Sequence, residues 1–182
     1  MTAPCATTNG DFWVFGYGSL MWDPGFRHMR AMPARLDGYH RAFCIYSHRY
    51  RGTEARPGLV LGLRPGGVCQ GRAFLVAAPD RSEVLAYLED REMTSYVYRQ
   101  MALPVDIGGQ CARATTYVAD DSHPQYACDL SPADAARLIA EGSGERGPNV
   151  DYLENTLAHL DEMGVEEPEL FELRALVRAM AR

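Results

Sequence analysis

The ordered pattern of this chain begins with an unbroken apolar run, Phe12-Trp13-Val14-Phe15, that stops at Gly16-Tyr17-Gly18-Ser19. A short apolar run bounded by glycine reads as a buried strand. Between residues 34 and 50, Leu36, Tyr39, Ala42, Phe43, Ile45 and Tyr46 alternate loosely with basic positions. This predicts one long strand or two short ones, with Asp37-Gly38 as a turn or bulge. Residues 59–63 form another apolar run, and Arg64-Pro65-Gly66-Gly67 carries the residues of a turn. Residues 69–78 are then expected to return as the antiparallel partner. The period changes after Pro79: Asp80 and Glu83 have the spacing of a capping box, and Val84, Leu85, Tyr87 and Leu88 supply the buried side of a helix ending near Arg91. Residues 96–105 and 113–118 revert to strand patterning on either side of Asp106-Ile107-Gly108-Gly109.

The C-terminal third is helical. Ser131-Pro132 opens one helix by the cap-then-proline rule, and residues 142–148 interrupt it with glycines and Pro148. Val150, Leu153, Leu157 and Leu160 stripe a second helix that stops at Gly164. Pro168 opens a third, with Leu170, Leu173, Leu176, Val177 and Met180 on one stripe. Strands joined by short connections, one inserted helix and packed C-terminal helices make an α+β arrangement with a mainly antiparallel, possibly closed sheet. Residues 1–11 are expected to be a flexible tail and residues 12–182 a single domain.

Composition narrows the function. With 47% apolar and 23% charged residues the chain is an ordinary globular one. No apolar run approaches the roughly 18 residues of a membrane helix, and the N-terminus lacks the pattern of a signal peptide, so a cytoplasmic protein is expected. The net charge is −6, which argues against sequence-independent nucleic-acid binding. Every basic side chain other than histidine is arginine, so Schiff-base chemistry on lysine is excluded. Cys5, Cys44, Cys69, Cys111 and Cys128 include no Cys-x-x-Cys pair, and His28, His40, His48, His123 and His159 show no ligand spacing. Free thiols, no metal and no cofactor are the expectation. The sequence leaves the oligomeric state open, a monomer included.

Two stretches remain as chemistry. The Gly16-Tyr17-Gly18-Ser19 turn can let the backbone approach a ligand and present consecutive N–H groups to an anion; it can equally be a tight strand-to-loop turn. It is neither a dinucleotide fingerprint nor a nucleophile elbow. Arg91-Glu92 closes the inserted helix. A carboxylate there faces the negative end of the helix dipole, which disfavours its charged form and, with partial burial, suits a general acid/base. The alternative is a solvated charge or a partner for Arg91 or Arg99. Asn149 reads most simply as a helix cap.

Taken in order, Phe15-Gly16-Tyr17-Gly18-Ser19-Leu20-Met21-Trp22, Tyr50-Arg51-Gly52-Thr53 with Pro57-Gly58, Tyr87-Leu88 with Arg91-Glu92, His123-Pro124-Gln125-Tyr126, and Gly147-Pro148-Asn149 with Tyr152-Leu153 resemble the ChaC family of glutathione-specific γ-glutamylcyclotransferases, in its bacterial branch. The resemblance implies a γ-glutamylcyclotransferase-like small mixed β-barrel. It implies that Gly16, Tyr17, Gly18, Ser19, Leu20 and Met21 hold the γ-glutamyl group and that Glu92 is catalytic. Tyr126 and Tyr152 match tyrosines near the family's pocket, and Glu83 matches an acidic position with a supporting role in some members. Met93-Thr94-Ser95-Tyr96 departs from the family by lacking a glycine-rich segment. The implied reaction converts glutathione to 5-oxoproline and Cys-Gly. Its rivals are a cyclotransferase for other γ-glutamyl amines or amino acids, and a non-catalytic glutathione-binding module.

Overall fold

The computed structural model describes residues 10–93 and 95–180. Most of the expected N-terminal tail, and Thr94 in the segment after Glu92, lie outside the described residues. In chain order the elements are β1 (Phe12–Gly16), β2 (Arg30–Ser47), β3 (Gly58–Val76), α1 (Arg81–Glu92), β4 (Tyr98–Ile107), β5 (Gln110–Ala119), α2 (Pro132–Glu141), the two-residue strands β6 (Ser143–Gly144) and β7 (Gly147–Pro148), α3 (Asn149–Glu162) and α4 (Pro168–Met180). β1 pairs antiparallel with β3, Phe12 opposite Val76 and Gly16 opposite Arg72. Its other edge runs parallel to β5, Trp13 opposite Ala114, and this contact closes a barrel in the order β1-β3-β2-β4-β5.

Two compact units are distinguished along the chain, and β2 and β3 each contribute residues to both. The first comprises residues up to Arg41 together with Leu63–Asp120. Alternation in β1 and β3 puts Phe12, Val14, Phe74 and Val76 on one sheet face, where they meet Val84 and Leu88 of α1, Leu20, and Tyr117 of β5. Each such apolar side chain is worth about 1.5–3 kcal/mol when fully buried. α1 is held by this contact, with Leu85 and Tyr87 packing half-buried beside Val84 and Leu88.

Two local expectations are corrected here. Asp80 does not cap α1: a 3₁₀ turn over Ala78–Asp80 runs directly into the helix, so Asp80 already has helical dihedrals and its side chain makes no capping bond. Its carboxylate lies 3.8 Å from Arg27 instead. Gly66-Gly67 does not reverse the chain either. Both glycines take positive φ (95° and 73°) within one continuous strand, bending β3 without ending it. His40 Nδ1 lies 2.9 Å from the Gly66 carbonyl oxygen at this bend.

The second unit comprises Ala42–Gly62 and the chain from Asp121 onward. Ser131 caps α2 as expected, its Oγ accepting from the Asp134 N–H at 3.1 Å. Ala135, Ala136 and Ile139 of α2, Leu153, Leu157 and Leu160 of α3, and Leu170, Leu173 and Val177 of α4 form its buried helical residues. Leu176 and Met180, placed by periodicity on the same stripe, are exposed at the edge of α4. Asn149 is not the expected cap. It is fully buried, with Oδ1 accepting from Leu59 N–H at 2.6 Å and Nδ2 donating to Leu59 C=O at 2.8 Å. One amide thus satisfies both backbone groups of a β3 residue.

Asn149→Asp retains the shape but loses the donor, leaving the Leu59 carbonyl facing a buried carboxylate. The variant is expected to lose about 2–4 kcal/mol, a melting temperature lower by about 5–10 °C in calorimetry. A second expectation concerns Tyr117, whose phenol is pushed up by burial first and by the nearby Glu92 and Glu89 carboxylates second, from an ordinary value of 10.0. The folded state therefore keeps a proton that the unfolded chain releases above about pH 10, so stability contributed below that pH is lost as pH rises towards the folded value. Melting temperatures between pH 9 and 11 should fall more steeply for the wild type than for Tyr117→Phe.

Candidate active site

The glycine turn leaves β1 in a fixed direction because Gly16 packs tightly against Leu20. A Cβ on Gly16 would lie 2.9 Å from Leu20 Cβ, closer than real side chains approach. Gly18 (φ −129°, ψ −133°) then leads into a 3₁₀ turn over Ser19–Met21. The turn is closed by Met21 N–H to Gly18 C=O at 2.9 Å and Asp23 N–H to Ser19 C=O at 2.9 Å. Arg72 of β3 reaches across to donate to the Met21 carbonyl at 3.1 Å. In a 3₁₀ turn of this register the N–H groups of Ser19 and Leu20 have no acceptor within the turn itself.

Most side chains of this loop face inward. Tyr17, Leu20 and Met21 are buried, and the Tyr17 hydroxyl donates to the Tyr117 carbonyl at 2.8 Å. What the loop can offer a ligand is therefore backbone, with Ser19 as its polar side chain. Thr116 of β5 locks the root of the loop by donating from Oγ1 to Phe15 C=O at 3.0 Å.

The last turn of α1 meets the same loop. Arg91 Nη2 donates to Ser19 Oγ at 3.0 Å, while Nη1 donates to the carbonyls of Asp23 (2.8 Å) and Pro24 (3.3 Å) and to the Tyr87 hydroxyl (2.9 Å). Its Nε lies 3.3 Å from Glu92 Oε1. The Arg91 and Glu92 side chains are only 15% and 20% exposed, so this ion pair is not the ordinary solvated kind. Two influences oppose each other at Glu92: the helix end disfavours a carboxylate, and the adjacent guanidinium favours one. Tyr117, which feels the Glu92 charge, keeps its phenolic proton and remains a donor.

Residues 16–21, Arg91 and Glu92 are thus brought together within the first unit. Glu83 is not part of that group. It precedes Glu92 by nine residues of α1, half a turn out of phase at 3.6 residues per turn. With Gly25, Phe26, Arg27, Asp80, Val84 and Tyr87 it lines a cleft of about 320 Å³. Tyr126 and Tyr152 belong to the second unit. Tyr126 bridges to Ile45 of β2. The Tyr152 ring stands edge-on to Phe43 at 5.8 Å with the Arg51 guanidinium 5.4 Å from its centroid. After Glu92, Tyr96 adopts φ +55° with its side chain exposed. This left-handed conformation favours glycine and costs a bulky residue about 1–2 kcal/mol. Among the described residues no cluster of side chains is arranged to hold a metal.

Sequence reading grouped Tyr87 with Arg91-Glu92 only as a motif and gave it no role, and it missed Arg72 and Tyr117 as parts of this arrangement. The i, i+4 spacing of Tyr87 and Arg91 was a usable signal; the other two belong to strand patterns that carry none.

Comparison with known proteins covers nearly the whole chain. The family model for ChaC-like proteins matches residues 12–180. The glutathione-specific γ-glutamylcyclotransferase of Escherichia coli is 33% identical over 180 residues, covering 98% of this chain and 78% of that protein. The enzyme of that name from Schizosaccharomyces pombe is 31% identical, covering 93% of each. A crystal structure of a yeast γ-glutamyl cyclotransferase specific to glutathione superposes with a TM-score of 0.86 at 22% identity, covering 94% of this chain and 97% of that one, and establishes the fold. On the strength of the family match and these relatives, the chain belongs to the ChaC family.

Proposed function

We infer that this protein is a glutathione-specific γ-glutamylcyclotransferase. Its family membership and the names carried by its full-length relatives support that reading. The structural observation that supports the mechanism is the partly buried Glu92 carboxylate, joined through Arg91 to Ser19 of the glycine loop.

In γ-glutamyl-Cys-Gly the α-amine can fold back onto the γ-carbonyl. The new C–N bond closes a five-membered ring, the old amide C–N bond breaks, and the products are 5-oxoproline and Cys-Gly. Both reactants are in one molecule, so the main task is to hold the folded conformer, where orientation can supply roughly 7–11 kcal/mol. Backbone N–H groups of residues 16–20 would bind the substrate's α-carboxylate or polarise its carbonyl as negative charge develops on oxygen. The amine is mostly protonated near neutrality. It must first lose one proton to solvent; Glu92 then takes a second as the amine attacks and returns it to the leaving nitrogen, a contribution of about 10²–10⁴-fold. Ser19 is not needed as a nucleophile: its oxygen accepts from a guanidinium, which cannot take up its proton. Tyr126, Tyr152 and Glu83 remain candidates for substrate contact on family resemblance.

Glu92→Gln should lower kcat for 5-oxoproline release from glutathione by at least about 10²-fold while calorimetry still detects glutathione binding. Full activity in that variant removes Glu92 from the role of base. Specificity is checked by comparing 5-oxoproline release from glutathione and from γ-glutamyl-alanine. The first is expected to be the better substrate, and the opposite order would select a cyclotransferase for other γ-glutamyl amines. Binding of glutathione by the wild type without any product would instead identify a non-catalytic module.

A further inference from the structure

We propose that Arg91 is a positioning residue that sets the glycine loop and the Glu92 carboxylate in one register, so that the group transferring the proton and the backbone cradle are fixed by a single guanidinium. This rests on the reading of Glu92 as general acid/base. Nε and Nη2 share one edge of the planar group, and that edge serves Glu92 Oε1 at 3.3 Å and Ser19 Oγ at 3.0 Å. Nη1 takes the carbonyls of Asp23 and Pro24 and the Tyr87 hydroxyl, which tie the exit of the loop to the preceding turn of α1. The entrance, exit and acid/base are thereby connected through one rigid fork.

Adjacent helical residues do not ordinarily face each other, so an Arg91–Glu92 contact needs an external anchor. The loop is that anchor: it draws the guanidinium across the helix end, and the guanidinium in turn limits the positions Glu92 can take. Gly25 fits the same scheme. Its φ is +71°, and a Cβ there would collide with the Tyr87 hydroxyl. A lysine could keep the charge but not the geometry, since one ammonium cannot span both edges of the fork.

The test uses the full chain, with 5-oxoproline release from glutathione followed from pH 5 to 9 and melting temperature measured alongside. Arg91→Lys is expected to lower kcat by about 10–100-fold with KM changed less than about 3-fold, as a misplaced catalytic group does. Arg91→Gln is expected to do the same and also to move the acid limb of kcat/KM up by about one pH unit, because the neighbouring cation that favoured the carboxylate is gone. Glu92 and Glu89, one turn earlier on α1, both act on the Tyr117 phenol of β5, and both variants leave these groups in place. A purely structural role would lower the melting temperature without moving the limb. Ser19→Ala keeps helix and charge intact and serves if the Arg91 variants melt below the assay temperature: kcat is expected to fall about 3–10-fold with the acid limb unmoved. Wild-type kcat in Arg91→Lys or Ser19→Ala, or an unmoved limb in folded Arg91→Gln, overturns the proposal. Wild-type protein that releases no 5-oxoproline overturns the functional reading itself.

Discussion

β1 is bonded along both edges, antiparallel to β3 and parallel to β5, and everything at the candidate site descends from that placement. Parallel pairing with β5 removes the free edge that a five-residue strand would otherwise present, and closes the sheet. The strand ends at Gly16 with no slack, because β3 and Thr116 fix its last residues while Gly16 packs against Leu20. The glycine loop inherits its position from the barrel wall. Its apolar side chains are spent on anchoring, which leaves backbone and one serine for chemistry.

α1 supplies what the loop lacks. It lies on the barrel face through Val84 and Leu88, and this packing fixes the height at which its C-terminus arrives. The helix ends on Arg91 and Glu92, where the dipole and a guanidinium act on the carboxylate in opposite directions. Tyr117 lies in the same region as a phenol held in its protonated form, linking the barrel core to the electrostatics of Glu92. The second unit is organised differently, around apolar helix stripes and the Asn149 amide that completes the backbone bonding of Leu59.

Secondary structure was legible wherever one physical pattern dominated. The β1 run, the α1 and α3 stripes, the Ser131 cap and the Gly108-Gly109 turn between β4 and β5 all appear where periodicity and turn chemistry place them. Misreadings fell where two structures use the same residues. Gly66-Gly67 permits continuation of a strand as readily as a reversal, and here β3 runs through both glycines. Asp80 and Glu83 have capping spacing, but a preceding 3₁₀ turn gives Asp80 helical dihedrals and removes the need for a cap. Asn149 stands at a helix start, yet a fully buried amide is held by the backbone groups nearest to it, and those belong to Leu59.

The family, the mixed barrel-and-helix class, the glycine loop and the Arg91-Glu92 pair could all be read from the amino acids alone, because short local patterns in fixed order carry them. Which of the nominated residues lie side by side was decided by folding. Packing turned Tyr17, Leu20 and Met21 inward, set Glu83 half a helical turn away from Glu92, and drew Arg91 onto Ser19, Asp23 and Pro24. Helix phase and strand register act over distances that no local window contains. A guanidinium spanning residues more than sixty positions apart along the chain therefore becomes visible only once α1 is packed on the barrel.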